Sequence, residues 1–268
     1  MRPIPQVPTV LCIGGHDPSG GAGVGADAEA VRAAGCFALT VISALTEQDT
    51  RGLRRIYPQP AEQVEAQCQA LLEDSAPRAL KIGLVGSSRI VRLLAALIDA
   101  HPDLPVVLDP VLAAGAGQPT ADAALVNQLR THLVRRATLV TPNLPEAQTL
   151  GDAQEPRRCA RRLLQAGARW VLITGTHDET PQVTNRLFAA DGSERDWTWP
   201  RLPGVYHGSG CTLASAAAAR LALGQSVTQA VDAAQAYTWT SLERAMRSGR
   251  GQLTPNRLFD YPIAGVER

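Results

Sequence analysis

The sequence predicts an α/β fold with a central, mostly parallel sheet, and two patterns carry that prediction. Short Val/Ile/Leu-rich runs alternate with longer amphipathic stretches, the order that places crossover helices between parallel strands. The apolar runs are nearly continuous rather than alternating, as strands covered on both faces must be. Strands are expected at residues 9–13, 37–45, 80–85, 106–108, 137–140 and 170–174. Helices are expected at 61–72, 88–100, 121–133 and 156–166, and another at 26–34 closed by Gly35. Residues 184–202 alternate about Asp191-Gly192, a hairpin signal. Two Ala-rich helices follow, at 211–223 and 226–246.

No repeat, low-complexity linker or composition break interrupts the 268 residues, so one domain over 1–268 is expected. The last twenty residues read as an ordinary Pro/Gly-containing tail. Basic and acidic residues number 26 and 25, a net charge of +1. That balance selects neither nucleic acid nor an anionic membrane, and any affinity for phosphate must be built locally. Five scattered cysteines without a C-x-x-C pair argue against a disulfide scaffold and a zinc site. The opening MRPIPQVPTVLCIGG reads as neither signal peptide nor spanning helix, and a reducing cytosol is the expected compartment.

Five stretches carry chemistry, most of them at the end of an expected strand. The loop from Gly14 to Gly25 is half glycine and leads into a helix, so a ligand can lie against bare main chain there. Gly21-Ala22-Gly23-Val24-Gly25-Ala26 also satisfies the loose dinucleotide pattern, and a purely structural turn would use the same glycines. His16, Asp17, Ser19 and Asp27 are polar groups that a dinucleotide turn does not need. The burst from Thr46 to Gly52 contains Gln48, whose amide can donate and accept toward a heteroaromatic edge; a solvated turn would read alike. Lys81 and Asp109 emerge at or near strand ends. Asp109 has the hard oxygen that Mg²⁺ prefers, although a helix-capping Asp is as plain a reading. Asn143 can cap a helix starting near Pro145 with Glu146 in its first turn, and both can order the water shell of a metal ion.

The most specific stretch is His207-Gly208-Ser209-Gly210-Cys211-Thr212. Its glycines expose N–H groups where an Ala-rich helix begins, at an end carrying about half a positive charge. Such a turn can hold the charge that develops on a transferring phosphoryl group. Cys211 falls in the first helical turn, where a thiol pKa is expected below its usual value, so it can accept a hydroxyl proton. The plainer alternative makes it a small buried hydrophobe.

Together these motifs resemble the ribokinase-like kinases, specifically the bacterial hydroxymethylpyrimidine/phosphomethylpyrimidine kinases of thiamine biosynthesis. GHDPSGGAG with the following Ala-Asp, TEQDTRG, KIG, DPV, TPNLPEA and HGSGCT occur in family order between about Val10 and Ser248. The resemblance implies a three-layer αβα sandwich, usually dimeric, with ATP and Mg²⁺. It implies that Gly15, Asp27 and Gln48 contact the pyrimidine and that Gly208, Ser209 and Gly210 form an anion hole. Cys211 stands where many ribokinase-like sugar kinases carry an aspartate base. Asn143 and Glu146 match the element that organises metal and phosphate, with Asp109 beside them for the metal.

Two departures each remove a lysine that meets phosphate in relatives. One is the segment 112–117; the other is Thr174-Gly175-Thr176-His177, which puts Thr174 and His177 at the nucleotide. His177 and Lys81 are the candidate replacements. A third departure is Gln48-Asp49-Thr50 where the family reads Q-N-T. The nearest rival activity is a pyridoxal kinase; a nicotinamide-dependent oxidoreductase and a catalytically silent pyrimidine sensor are the readings from other classes.

Overall fold

The computed structural model describes residues 6–114, 117–175 and 180–261. Its main sheet contains β1 (Thr9–His16), β2 (Phe37–Asp49), β3 (Gly52–Pro58), β4 (Ala79–Ile82), β5 (Val106–Leu108), β8 (Leu139–Val140), β9 (Trp170–Ile173), β10 (Gln182–Ala189) and β11 (Glu194–Pro200). β6 (Ala113–Ala114) and β7 (Gln118–Pro119) make a separate two-stranded ribbon. The order across the main sheet is β11-β10-β9-β8-β5-β4-β1-β2-β3, parallel from β9 to β2 and antiparallel at both margins.

Among the described residues, eight α-helices cover the sheet: α1 (Gly23–Ala33), α2 (Ala61–Ser75), α3 (Ser88–Ala100), α4 (Ala123–Gln128), α5 (Leu144–Gly151), α6 (Pro156–Gln165), α7 (Ser209–Ala222) and α8 (Val227–Glu243). Strand alternation divides the core between the two faces. Leu11 and Ile13 of β1 join the cluster under α2 to α6, while Val10 and Cys12 join the one under α1, α7 and α8. All four are essentially inaccessible, which is why this strand reads as an unbroken apolar run. The alanines of α7, from Ala214 to Ala219, let that helix sit close on the sheet. The result is the expected αβα sandwich.

Three local readings change. The polar burst after residue 45 continues β2 to Asp49 and turns into β3, because an edge hairpin needs only main-chain pairing and tolerates charged side chains. Arg54 pairs there with Asp49 at 2.7 Å. The helix expected at 121–133 is α4, capped by Asp122, which then passes into a π turn at Leu129–Leu133. The segment expected to be a tail is an integral part of the fold: Leu253 and Thr254 pair with Tyr206 and Met246, Gln252 donates to the Thr50 carbonyl, and Asn256 donates to Ser241. Because six parallel strands share one direction, their carboxyl ends deliver the singled-out loops to a single edge of the sheet.

Candidate active site

Two bulges shape the site. The β1–β2 register shifts between Gly14 and Gly15, and the β2–β3 register shifts between Glu47 and Gln48. A bulge re-aims the side chains next to it, so two of the three expected pyrimidine contacts sit where a strand departs from its ladder. A Cβ on Gly15 would lie 2.8 Å from a terminal methyl of Leu84, so a side chain there would have to displace that leucine.

Asp17 organises the glycine loop. Its carboxylate accepts from the Ser19 amide at 2.9 Å, the Ser19 hydroxyl at 2.9 Å, the Ala22 amide at 2.8 Å and His207 Nε2 at 2.8 Å. Burial opposes ionisation, but the hydrogen bonds from His207 and Ser19 outweigh it and bring the pKa down to about 2. Gln48 Nε2 lies 2.7 Å from the same His207 nitrogen. A carboxylate only accepts, so Nε2 of His207 carries its hydrogen toward Asp17. The contact is then satisfied by assigning the Gln48 amide with its oxygen toward the imidazole, where it shares the one Nε2–H with Asp17, and its NH₂ on the other side.

The lowered Asp17 pKa has a consequence for stability. A depressed carboxylate stabilises the fold above its unfolded value near 3.8, and that contribution disappears as pH falls through about 2. Asp17→Asn is expected to cost about 2 kcal/mol in urea unfolding at pH 6, with the gap to wild type closing toward pH 2. A gap independent of pH would show that the carboxylate charge contributes nothing.

Beneath the loop, Lys81 and Asp27 form a fully buried ion pair at 2.7 Å, and the Ser215 hydroxyl donates to the same Asp27 oxygen at 2.7 Å. Asp109 Oδ2 lies 3.9 Å from Lys81 Nζ. Burial would lower the ammonium, yet Asp27, Cys211 and Asp109 hold it above its ordinary value. Lys81 is thus committed to the interior, and its expected service as a phosphate-binding substitute does not hold. The other oxygen of Asp27 is buried without a hydrogen-bond partner, as is Asp109 Oδ2.

α7 begins at Ser209, with Gly208 as its N-cap at φ +87°. A side chain at Gly208 would collide with the Gly21 carbonyl at 1.9 Å, so only glycine lets the two loops meet. Gly210 abuts Asp109, whose Oδ1 would be 3.6 Å from a Cβ placed there. Cys211 keeps part of its surface exposed and lies within the electrostatic reach of Lys81, Asp109 and Asp27. The sequence expectation of a lowered thiol pKa is overturned. Burial pushes it up to about 12; Lys81 opposes this, while Asp109 and Asp27 add to it. Helix-end amides are weaker than desolvation beside two carboxylates.

Asn143 and Glu146 form a capping box on α5: Glu146 N donates to Asn143 Oδ1 at 2.9 Å, and Asn143 N donates to Glu146 Oε2 at 3.0 Å. Glu146 Oε1 also accepts from the Leu112 amide at 3.2 Å. Burial, and then Asp109, push its carboxyl up to about 8. Both oxygens being engaged, Glu146 stands behind Asp109 rather than open as a direct metal ligand. Thr174 bridges to Asn143 across the strand ends. His177 and the Gly115-Ala116 pair fall outside the described residues.

His207 and Arg257 belong to this assembly although neither was assigned a role from sequence. The histidine was visible as the first residue of its motif; Arg257 had no local signal.

A family model described as phosphomethylpyrimidine kinase matches residues 17–256. The hydroxymethylpyrimidine/phosphomethylpyrimidine kinase of Streptomyces coelicolor is 39% identical over 258 residues, 93% of this chain and 94% of that protein. Among solved structures, the phosphomethylpyrimidine kinase of Clostridium difficile is similar with a TM-score of 0.77 and 29% identity, over 88% of this chain and 99% of that one. The pyridoxal kinase of Staphylococcus aureus in complex with pyridoxal reaches a TM-score of 0.86 at 24% identity, over 94% and 93% of the two chains, a likeness of fold alone. With the ordered motifs gathered at one sheet edge and these relatives matching nearly end to end, the chain belongs to the hydroxymethylpyrimidine/phosphomethylpyrimidine kinase family.

Proposed function

We propose that this enzyme transfers the γ-phosphoryl group of ATP to 4-amino-5-hydroxymethyl-2-methylpyrimidine and then to the monophosphate, for thiamine diphosphate biosynthesis. The supporting observation is the meeting of the Gly208 to Cys211 turn with Asp109 and the first glycine loop. Bare amides, a thiol and an unpartnered carboxylate oxygen share one place. Nearby, the NH₂ of Gln48 suits a ring nitrogen and Gly15 lets the ring lie against main chain, while Asp27, enclosed with Lys81, forms the floor beneath that loop. Gly208, Ser209 and Gly210 direct amides at the oxygens of the moving phosphoryl group, where positioning and electrostatics do most of the work. As the thiolate, Cys211 would take the proton that the hydroxymethyl group loses; burial holds the resting thiol protonated, so its own proton leaves first. Asn143 and Thr174 form the nucleotide side.

Among the described residues no group of three or more His, Cys, Asp or Glu side chains gathers as a metal cluster. Mg²⁺ suits such a place, because it is commonly held by one or two carboxylates together with phosphates and water. Asp109 Oδ2 fits as that carboxylate, with Glu146 behind it. Bound there, Mg²⁺ would neutralise phosphate charge and offset what Asp109 adds to burial in raising the Cys211 thiol. Leu45 and Tyr57, exposed and paired across β2 and β3, offer an apolar patch for a homodimer. No helix among the described residues is long and apolar enough to cross a membrane.

Incubation with ATP, Mg²⁺ and the hydroxymethylpyrimidine, with products separated by anion exchange, is expected to yield monophosphate and then diphosphate. Pyridoxal serves as the parallel substrate. Absence of any phosphorylated pyrimidine would overturn the proposal, and faster turnover of pyridoxal would reassign the substrate.

A further inference from the structure

Arg257 is the largest fully buried side chain described, and it lies in the segment that sequence alone read as a tail. Its guanidinium reaches three parts of the molecule at once. Nε donates to the Thr212 hydroxyl at 2.8 Å, in the first turn of α7. Nη1 donates to Glu29 Oε2 on α1 at 3.1 Å and to the Gly20 carbonyl at 3.5 Å. Nη2 donates to the Gly21 carbonyl. Glu29 is its one carboxylate partner among the described residues and is itself half exposed. Keeping a cation there carries a desolvation cost that a neutral side chain would avoid.

These contacts immobilise the start of α7. The Thr212 hydroxyl that receives Nε passes its own hydrogen to the Gly208 carbonyl at 2.8 Å. A peptide unit is planar, so anchoring the Gly208 carbonyl also sets the direction of the Ser209 N–H, the first amide of the turn. From the other side, Nη2 would be 2.7 Å from a Cβ on Gly208 and the Gly21 carbonyl 1.9 Å from it, so the guanidinium closes the gap between the two loops. Only a flat fork of donors can reach the Thr212 hydroxyl and two carbonyls of the glycine loop together.

We propose that Arg257 is a positioning residue for phosphoryl transfer: it locks the Gly208–Ser209 peptide against the Gly20–Gly21 loop, aiming the α7 amides at the transferred group and placing a positive charge behind them. This rests on the kinase reading given above. Since the phosphoryl charge spreads most in the transition state, the effect belongs to turnover more than to binding of the pyrimidine.

Arg257→Ala, Arg257→Lys and Thr212→Val are compared with wild type by steady-state kinetics on ATP and the hydroxymethylpyrimidine, and by thermal unfolding. Arg257→Ala is expected to lower kcat by roughly tenfold to a hundredfold, with the pyrimidine KM within about threefold of wild type. Guanidinium chloride at a few millimolar is expected to restore part of the lost rate, whereas Arg257→Lys does not restore it. Thr212→Val, which removes the hydroxyl joining Arg257 Nε to the Gly208 carbonyl but leaves the arginine's contacts to Gly20, Gly21 and Glu29, is expected to lower kcat several-fold with a smaller loss of thermal stability than Arg257→Ala. The inference is overturned if kcat per folded molecule is unchanged in Arg257→Ala, or if its loss is not rescued by guanidinium. Should Arg257→Ala not fold, a folded Thr212→Val with wild-type kcat overturns it. Failure of wild type itself to turn over would instead count against the kinase reading.

Discussion

Lys81→Met is expected to destabilise the protein by about 3–5 kcal/mol near neutral pH, a large share of the stability of a typical domain. The substitution removes the partner of Asp27 at 2.7 Å and leaves two carboxylates, Asp27 and Asp109, enclosed without a cation. Their burial is already sufficient to push Asp109 above its ordinary value with Lys81 in place. Because the Lys81 pKa is raised, its contribution is complete below the unfolded value near 10.5 and is lost only as pH rises beyond the folded one, so the defect should be flat from about pH 6 to 9. Adding Asp27→Asn to Lys81→Met should recover much of the loss, because neighbouring charges in one network are not additive. Urea unfolding of the single and double variants measures this directly. A double variant as unstable as the sum of its parts would mean that packing of the lysine stem, not charge pairing, is what counts.

Cys211→Ala is expected to reduce kcat by about a hundredfold to ten-thousandfold, the range for loss of a positioned proton acceptor, while the pyrimidine KM changes little. The reason is placement: Cys211 stands in the first turn of α7 within reach of Asp109, whereas Gln48 lies at the end of β2 against His207. Removing it therefore spares the groups that face the ring. Steady-state kinetics on both substrates separates the two parameters. Full activity in Cys211→Ala would remove the thiol from the mechanism and leave the work to the amides alone.

Much of this organisation is legible along the chain because it is local. Buried parallel strands need unbroken apolar runs, so β1, β5 and β9 announce themselves. The cap of α5 is written in Asn143 and Glu146, three residues apart, and the start of α7 in the glycines that expose its amides. The extension of β2 into β3 was not legible, since the hairpin is held by main-chain pairing that charged side chains neither favour nor reveal.

Sequence by itself determined the layered α/β architecture, the family, and the strand ends that carry the chemistry, since each depends on residues close together in the chain. Tertiary structure alone decided the state of those residues. Desolvation depends on everything within several ångströms, whatever its sequence distance, so Cys211 sits near 12 rather than below its usual value, and Lys81 serves Asp27 rather than a phosphate. The same reason hides Arg257, whose partners at Thr212 and Gly21 lie 45 and 236 residues away and leave no periodic or motif trace in the segment that bears it.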